Sequence, residues 1–471
     1  MTESDNAVTD SILDRLGSRV ATLSYDDLTE SGRRLFRVAL VDTLGVALAG
    51  SGFPGAVITR AALHASLGES LILGSPDRVD VLDAAMLNAI AAHALDYDDG
   101  NPIMGGHPST LLIPAVLAVG EELGASATEV IAAYAAGYEV IIRLSRGINS
   151  AHYEKGWHPT STIGVFGVAA AAARLLGLDA KQCTVALAIA ASMASGVKAN
   201  FGTMVKSLHV GHAVRDGLLC ARLAAGGFTA NRLALEARQG FLDVYNGAGS
   251  YELQAIVADR GALEINTGFN PIKAYPCCAS THSAIGAAMD IRRTHGVRGQ
   301  EVETVRIVVD KNRMPHTDRP HLQEALSGKF SLQYVVARAL LEGRVVLEHF
   351  ENDAHLDPSV QALMGRIEVS AAPPGEVPNS FAANVSVTVG TGETFHSRVD
   401  RPALGGDGTT ADPPHLWEKF ADCAGRVLAA SDVTALASAL DSFPEYEDVR
   451  DFVQLAQATP ARQTTLAGSA T

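Results

Sequence analysis

The sequence predicts a mainly α-helical protein with a smaller α+β unit. Hydrophobic residues make up 47% of the 471 residues, and a chain of this length usually forms more than one domain. Two long segments, Thr128–Leu144 and Cys183–Val197, are dominated by Ala, Ile, Leu and Val. Helices that are apolar nearly all round are buried by other helices. After Asn270 the pattern changes to short β-branched stretches with a period of two, which predicts strands.

We predict an all-α domain formed by residues 8–267 and 403–458. Its helical runs include Val81–Ala94, Leu111–Leu123 and Ile163–Leu178, in which small residues allow close packing. Two late segments, Pro414–Ala430 and Val433–Leu440, are predicted to be helical and to return to this domain.

Residues 268–402 are predicted to form an α+β lid domain. Val385–Val389 alternates valine with Ser and Thr, and a Gly-Thr-Gly turn follows it. The predicted lid strands are Glu301–Asp310, Ile367–Val369, Val385–Val389 and Glu393–Val399, with a helix at Ser331–Glu342. Residues 401–414 form a predicted linker rich in Gly, Pro and Asp, and residues 459–471 a predicted disordered tail.

The composition disfavours several classes of function. Asp and Glu total 52 against 37 Lys and Arg, a formal net charge of −15, and an acidic surface repels nucleic acid. No apolar run approaches the roughly 18 residues of a membrane span, and no signal peptide is visible. Five cysteines without a CxxC pair or zinc spacing indicate reduced thiols. We therefore expect a cytoplasmic protein without membrane or nucleic-acid partners.

Two histidines precede apolar helical runs in the same local pattern. His107 begins a His-Pro-Ser-Thr stretch, and His158 begins a His-Pro-Thr-Ser-Thr stretch. Ser or Thr before an apolar run signals a helix N-cap, and Pro is tolerated at a helix start. The positive end of a helix dipole disfavours imidazolium, so each histidine is expected to be neutral and able to act in proton transfer. The alternative is a purely structural histidine that caps or packs.

An acidic segment, His93-Ala94-Leu95-Asp96-Tyr97-Asp98-Asp99, ends the predicted helix Val81–Ala94. Carboxylates at a helix C-terminus oppose the dipole and need partners. One hypothesis is that Asp96 orients a histidine within a proton network. The alternatives are a magnesium site of the kind found in helical diphosphate enzymes and a solvated acidic loop.

Two lysines stand in surroundings that favour binding of an anion. Lys206 follows an apolar helix, and an unpaired buried ammonium is costly, so a substrate carboxylate is a suitable partner. His209 and His212 have the spacing of metal ligands, but a helix face with satisfied histidines is commoner. Lys273 and His282 lie at the junction of the two predicted domains, where small-molecule sites often form.

The ordered motifs resemble those of the MmgE/PrpD family over about residues 10–455. They are VDTLGVALAGS (41–51), HALDYDDG (93–100), GHPST (106–110), GWHPTSTIGVFG (156–167), NFGTMVKSLHVG (200–211), KAYPCCASTH (273–282), KFSLQY (329–334) and the helix Trp417–Phe420. The family includes 2-methylcitrate dehydratase, cis-aconitate decarboxylase and iminodisuccinate epimerase. The resemblance implies a large helical domain, a smaller α+β lid, a homodimer, and catalysis without a metal or organic cofactor.

The same resemblance implies a set of site residues. The family's active-site positions fall on Asp96, His107, His158, Lys206 and Lys273, with Tyr334 as a weaker match. Substrate contacts are also expected from His282 and Cys278. Aconitate decarboxylases have a histidine where this chain has Cys278, which counts against that activity. The residues around His107 and His158 look most like those of the epimerase branch.

These observations predict a lyase of the dehydratase type acting on a small di- or tricarboxylic acid. His107 and His158 serve as acid and base in an undetermined order, Asp96 orients or balances charge, and Lys206 and Lys273 hold carboxylates. Epimerisation of an iminodisuccinate-like diacid and decarboxylation of cis-aconitate are the alternatives. More remote ones are a metal-dependent diphosphate enzyme and a non-catalytic helical protein, in which these side chains would scatter over the surface.

Overall fold

The described part of the chain is largely helical. The computed structural model describes residues 10–63, 67–373, 375–377, 379, 381–400, 413 and 415–458. Its helices are Ile12–Thr22 (α1), Glu30–Gly50 (α2), Pro54–Leu63 (α3), Val81–Ala94 (α4), Ser109–Leu123 (α5), Ala127–Ile148 (α6), Ala151–Glu154 (α7), Pro159–Thr162 (α8), Gly164–Leu175 (α9), Ala180–Met193 (α10), Val205–Ala225 (α11), Phe241–Tyr245 (α12), Leu253–Val257 (α13), Ala279–His295 (α14), Met314–Thr317 (α15), Ala325–Gly328 (α16), Leu332–Glu342 (α17), Pro358–Met364 (α18), Leu416–Ala424 (α19), Ala430–Asp441 (α20) and Arg450–Val453 (α21).

Small residues allow the central helices to pack closely. Helix α11 contacts α4, α9 and α10, and α6 packs along α9. A β-carbon on Gly137 of α6 would lie 2.7 Å from the carbonyl oxygen of Gly167 in α9. A β-carbon on Gly211 of α11 would lie 2.8 Å from the carbonyl oxygen of Met86 in α4. Any larger residue at these positions would force the helices apart, which close-packed interiors do not tolerate well.

The helical part also contains a two-stranded sheet, so the prediction of an all-α domain is wrong in this detail. Strands Leu67–Leu71 (β1) and Arg78–Val79 (β2) pair antiparallel. The sheet is attached to α5, because Arg78 pairs with Glu121 at 2.6 Å and the Leu71 N–H donates to the same carboxylate at 2.9 Å. These contacts are distant in sequence, and β1 carries no alternating apolar pattern that would reveal it.

A second hydrophobic cluster lies between a four-stranded sheet and the helices packed on it. Its strands are Val302–Val309 (β3), Ile367–Ala371 (β4), Ala383–Val389 (β5) and Thr394–Val399 (β6), in the order β4-β3-β5-β6. The β3–β4 pair is parallel, and the β3–β5 and β5–β6 pairs are antiparallel. Buried Val305, Ile307 and Val385 share a cluster with residues of α14 and α17. All four strands predicted for this region are present.

The late helices pack on the first helical core. Phe420 of α19 and Leu440 of α20 belong to that core, and Phe420 lies against Gly45 of α2. The fold is therefore mainly α. The predicted domain boundaries, 8–267, 268–402 and 403–458, stay predictions. Most of the predicted linker at 401–414 and the tail at 459–471 lie outside the described residues.

Within the described residues, no single helix has both the length and the apolar character that crossing a membrane requires. The bent pair of α2 and α3 meets the length and composition criteria jointly.

Candidate active site

The loop that follows α4 directs three aspartates towards different partners. Asp96 adopts a left-handed conformation with φ of 50°, which is uncommon for residues other than glycine but better tolerated by Asp. Asp96, Asp98 and Asp99 are all buried. They do not converge on one point, which counts against a shared magnesium site of the diphosphate-enzyme type.

Asp96 lies between two buried lysines. Its Oδ1 is 2.5 Å from Lys206 Nζ of α11 and 2.9 Å from Lys273 Nζ, which also donates to the Asp96 carbonyl oxygen at 2.8 Å. Burial alone would raise the pKa of Asp96, but the two lysines outweigh it and lower that pKa. Burial opposes the charge on Lys273, yet Asp96 and Asp98 outweigh burial and raise its pKa. Two ammonium groups thus share one carboxylate.

Asp98 connects two histidines. Its Oδ2 lies 2.8 Å from His93 Nδ1 and 3.1 Å from His107 Nδ1, and His107 Nδ1 is also 2.5 Å from the Asp99 carbonyl oxygen. These acceptors place a proton on each Nδ1 and leave both Nε2 atoms for other partners. Burial would raise the pKa of Asp98, but the histidines lower it well below its usual range. Burial lowers the pKa of His93 to about 4.

The three residues His93, Asp98 and His107 have the closest approach to metal-ligand spacing found in the described part of the chain. Their ligand atoms lie within 4.8 Å of one another. The Nδ1 atoms of His93 and His107 lie 2.8 and 3.1 Å from Asp98 Oδ2, which are hydrogen-bond distances. The arrangement therefore fits a carboxylate that accepts two imidazole N–H groups.

Asp99 belongs to a separate polar network. Ser109 donates its hydroxyl to Asp99, and Asn270 Nδ2 donates to the same carboxylate at 2.8 Å. Burial raises the pKa of Asp99 to about 7. Ser109 is thus not a capping side chain, and α5 and α8 have no side-chain cap at their N-termini. The capping predicted from the Ser and Thr residues of both motifs is wrong, because Pro108 and His158 occupy the N-cap positions and distant residues bind the Ser109 and Thr160 hydroxyls.

His158 lies directly before α8 and next to the other histidines. Its Nδ1 is 3.3 Å from His209 Nδ1, and its ring stacks on His93 with centroids 5.8 Å apart. Burial lowers the pKa of His158 well below its usual range, and His93 and Lys206 add to this effect. The expected neutral histidine is therefore found, with burial as the main cause. The two His-Pro motifs meet, since the His107 N–H donates to Thr160 Oγ1 at 3.2 Å.

Four buried polar atoms of this cluster have no hydrogen-bond partner among the described residues. They are His93 Nε2, Asp96 Oδ2, Asp98 Oδ1 and His158 Nε2. Buried polar atoms are normally satisfied in native proteins, so such atoms at one place indicate a ligand site. His93, Asp96 and Lys206 line one narrow cleft together with Phe53 and Phe330.

The remaining predicted contacts are less favourably placed. Tyr334 donates its hydroxyl to the His349 carbonyl oxygen within the second hydrophobic cluster, so the structure does not bring it to the cleft. His282 is fully buried, with Nε2 3.1 Å from the Cys277 carbonyl oxygen. Burial lowers the pKa of His282 to about 3. Cys278 is half-buried directly before α14 and interacts electrostatically with Lys273.

Sequence reasoning did not select two residues that build the cleft. Asp98 was recognised only as part of an acidic run, and nothing local distinguished it from Asp99. Lys329 lies in the KFSLQY motif, and its Nζ donates to the carbonyl oxygens of Leu95 and Pro276 at 2.7 Å each. Lys329 thus joins the Asp96 loop to the loop that precedes Cys278. A lysine beside apolar Phe330 is the signal that could have revealed it.

Comparisons with known proteins identify the family. Residues 14–254 match the MmgE/PrpD N-terminal domain, and residues 275–442 match the MmgE/PrpD C-terminal domain. The chain belongs to the MmgE/PrpD family. Membership confirms the resemblance drawn from the motifs and removes the support for a diphosphate enzyme. The contacts of Asp96 with Lys206 and Lys273 bring predicted site residues together instead of scattering them over the surface, which counts against a non-catalytic helical protein.

Several curated relatives of this MmgE/PrpD chain are lyases. Human cis-aconitate decarboxylase is 29% identical over 453 residues, covering 93% of each chain. The mouse enzyme is 28% identical over 454 residues, covering 93% of this chain and 92% of its own. Cis-aconitate decarboxylase of Aspergillus terreus is 25% identical over 463 residues, covering 92% of this chain and 94% of its own.

Proposed function

We propose that this protein is a lyase that decarboxylates a small tricarboxylic acid of the cis-aconitate type. The observation that carries the proposal is the buried group of Asp96, Lys206 and Lys273 beside His107 and His158. The curated cis-aconitate decarboxylases match nearly the whole length of this chain, which supports decarboxylation over dehydration. The sequence alone favours dehydration. The alternative named from the sequence thus becomes the main proposal.

The lysines supply the charge that an anionic substrate needs. Lys206 and Lys273 hold one carboxylate between them, so a substrate carboxylate that approaches both ammonium groups meets a local excess of positive charge. Such fixed cations also stabilise negative charge that develops next to a carboxylate during reaction. Asp96 keeps both lysines in place and prevents their mutual repulsion from opening the site.

The proton chemistry is assigned to the histidines. In decarboxylation the C–C bond to one carboxylate breaks, CO₂ leaves, and the electron pair stays on the conjugated carbon skeleton. A proton from a general acid then forms the new C–H bond. We assign the acid to His107, because Asp98 accepts from its Nδ1 and fixes the orientation of the ring. His158 is held neutral by burial and donates or accepts a hydrogen bond through Nε2.

Dehydration is the second candidate, because Cys278 occupies the position where the resemblance places a histidine in aconitate decarboxylases. A thiol and an imidazole differ in size and basicity, so the carbon that receives or loses a proton can differ as well. In dehydration, neutral His158 would remove a proton next to a carboxylate, and His107 would protonate the leaving hydroxyl as water. The same lysines would serve both reactions.

The experiment is a substrate panel with product identification by NMR. The purified protein is incubated with cis-aconitate, 2-methylcitrate, citrate and iminodisuccinate. We expect CO₂ release from cis-aconitate and loss of that activity in His107→Asn and His158→Asn. Water loss from 2-methylcitrate without CO₂ release would establish the dehydratase instead, and racemisation of iminodisuccinate would establish the epimerase. No turnover of any acid would overturn the proposal. The predicted homodimer is tested by light scattering of the same sample.

A further inference from the structure

A second group of cations, Lys198 and Arg319, lies next to Phe201. Lys198 is in the short turn Lys198–Asn200, and its Nζ donates to the Tyr153 carbonyl oxygen at 2.9 Å. The same Nζ lies 3.3 Å from the centroid of the Tyr153 ring. Arg319 follows α15, and its Nη2 donates to the Phe201 carbonyl oxygen at 3.3 Å. Arg319 thus contacts the segment that follows Lys198.

This group is continuous with the candidate active site. The Phe330 ring centroid is 5.4 Å from Lys206 Nζ and 5.5 Å from Arg319 Cζ. The Phe201 ring packs edge-on against His158, with centroids 4.8 Å apart. Lys206 and Arg319 therefore share one aromatic neighbour, Phe330.

Glycine at position 202 permits the close approach of Arg319. A β-carbon on Gly202 would lie 2.5 Å from Arg319 Nη1, and the residue has φ of 90°, a conformation that favours glycine. The backbone at Gly202 thus allows the Arg319 guanidinium to lie against this loop. A side chain at position 202 would collide with that guanidinium.

The positive charges of Lys198 and Arg319 are not neutralised by a carboxylate among the described residues. Lys198 and Arg319 form no ion pair with a carboxylate among the described residues, although Glu154 acts on Lys198 at longer range. Burial lowers the pKa of Lys198 to about 8, and Arg313 adds to the effect. Burial lowers the pKa of nearby His316 to about 3, with further contributions from Arg313 and Lys198. Half-buried cations without a carboxylate partner favour a bound anion.

Several buried or half-buried arginines of this acidic protein pair with carboxylates, whereas Arg174 and Arg292 donate to carbonyl oxygens. The paired ones are Arg143 with Glu139 at 2.5 Å, Arg146 with Glu264 at 2.8 Å, and Arg338 with Glu342 at 2.5 Å. Lys198 and Arg319 belong to the group that contacts carbonyl oxygens.

We propose that Lys198 and Arg319 form a second carboxylate-binding subsite beside Phe201 and Phe330, next to the site of Lys206 and Lys273. The preferred substrate then carries carboxylates at both ends of a short carbon chain, as a tricarboxylate does, and a monocarboxylate binds poorly. This inference rests on the proposed function for the identity of the first subsite. Arg319 presents a planar fork that suits bidentate binding of a carboxylate.

The test uses tricarballylate, an unreactive saturated tricarboxylate, and propanoate as the monocarboxylate. Calorimetric titration compares the wild-type protein with Lys198→Met, Arg319→Gln and Arg319→Lys. We expect tricarballylate affinity to fall by about tenfold or more in Lys198→Met and Arg319→Gln, the scale of one charge-assisted hydrogen bond. Arg319→Lys should lose less than Arg319→Gln. Arg306→Gln, an exposed change on β3, should bind as the wild type does.

Kinetics with cis-aconitate provide the second measurement. The two subsite variants should raise KM by a similar factor and change kcat by less than about threefold, because they act on binding of a remote group. Circular dichroism establishes that each variant is folded. If Arg319→Gln does not fold, Lys198→Met and Arg319→Lys carry the comparison.

Unchanged tricarballylate affinity in the folded variants would overturn the inference. So would wild-type binding of propanoate as tight as that of tricarballylate. If the wild-type protein turns over no acid in the panel, yet binds tricarballylate in a manner that depends on Lys198 and Arg319, the proposed reaction is wrong and the subsite stands.

Discussion

The two sides of the cleft differ in how their charges are balanced. On one side, Asp96 holds Lys206 and Lys273, and Asp98 holds two imidazoles within hydrogen-bond distance. On the other side, Lys198 and Arg319 rest against carbonyl oxygens and aromatic rings. The first arrangement pairs its charges within the protein and keeps proton-transfer groups in fixed positions. The second is completed by an anion. The difference suggests that chemistry and substrate selection reside on different sides.

The largest effect is expected from His107→Asn. Loss of the general acid should lower kcat with cis-aconitate by about 10²- to 10⁴-fold while the fold is retained. The matched control is His212→Asn, because His212 is half exposed and pairs with Asp216 on the outside of α11. Activity of His107→Asn within threefold of the wild type would remove His107 from the mechanism.

Asp96→Asn tests whether the pair of Lys206 and Lys273 depends on the carboxylate that they share. Two buried ammonium groups would lose their shared counter-ion, so we expect the free energy of unfolding to fall by about 3–5 kcal/mol and turnover to be lost. The control is Asp441→Asn, which breaks the surface pair with Arg37 and should cost at most about 1 kcal/mol. Denaturant titration measures both, and equal losses would contradict the account.

The cost of Asp96→Asn should depend on pH. The pKa of an ordinary Asp is about 3.9, and Asp96 lies below it, since its lysines outweigh the opposing effect of burial. The stabilisation from its carboxylate is therefore complete above about pH 5 and decreases as the pH falls through 4. We expect the difference in unfolding free energy between wild type and variant to be smaller at pH 3.5 than at pH 7. A difference that grows at low pH would contradict the assignment.

Lys329→Met should have an intermediate effect, since Lys329 joins the loops that carry Asp96 and Cys278. Burial lowers its pKa to about 8, below the usual value of about 10.4. Between pH 8 and 10 the unfolded chain then binds more protons than the folded chain. The free energy of unfolding of the wild type should therefore rise over this range relative to that of the variant. As a positioning residue, Lys329 should also affect kcat more than KM. Parallel pH curves for the two proteins would contradict this role.

The smallest effect is expected from Tyr334→Phe. The change removes a hydrogen bond to the His349 carbonyl oxygen in the second hydrophobic cluster, at a cost of about 1 kcal/mol. Turnover should remain within about twofold of the wild type. A large increase in KM would instead support the contact with substrate predicted from the resemblance.

The sequence predicted those features that are encoded locally. Period-two stretches located the four strands around β3, and apolar runs located helices such as α4, whose bounds agree with the prediction. The family motifs led to Asp96, Lys206 and Lys273, which the fold brings into contact. The sheet of β1 and β2, the partner of Ser109 and the place of Tyr334 were missed or misplaced. Each depends on contacts between distant segments, which neither periodicity nor motif spacing specifies.

Turnover of cis-aconitate in D₂O tests the central claim most directly. Decarboxylation with protonation by His107 predicts CO₂ release and one deuterium at the carbon that forms the new C–H bond in each product molecule, with no deuterium in recovered cis-aconitate. His107→Asn should release CO₂ at a rate reduced by about 10²-fold or more. Deuterium uptake into the substrate without CO₂ release, or full activity of His107→Asn, would contradict the account.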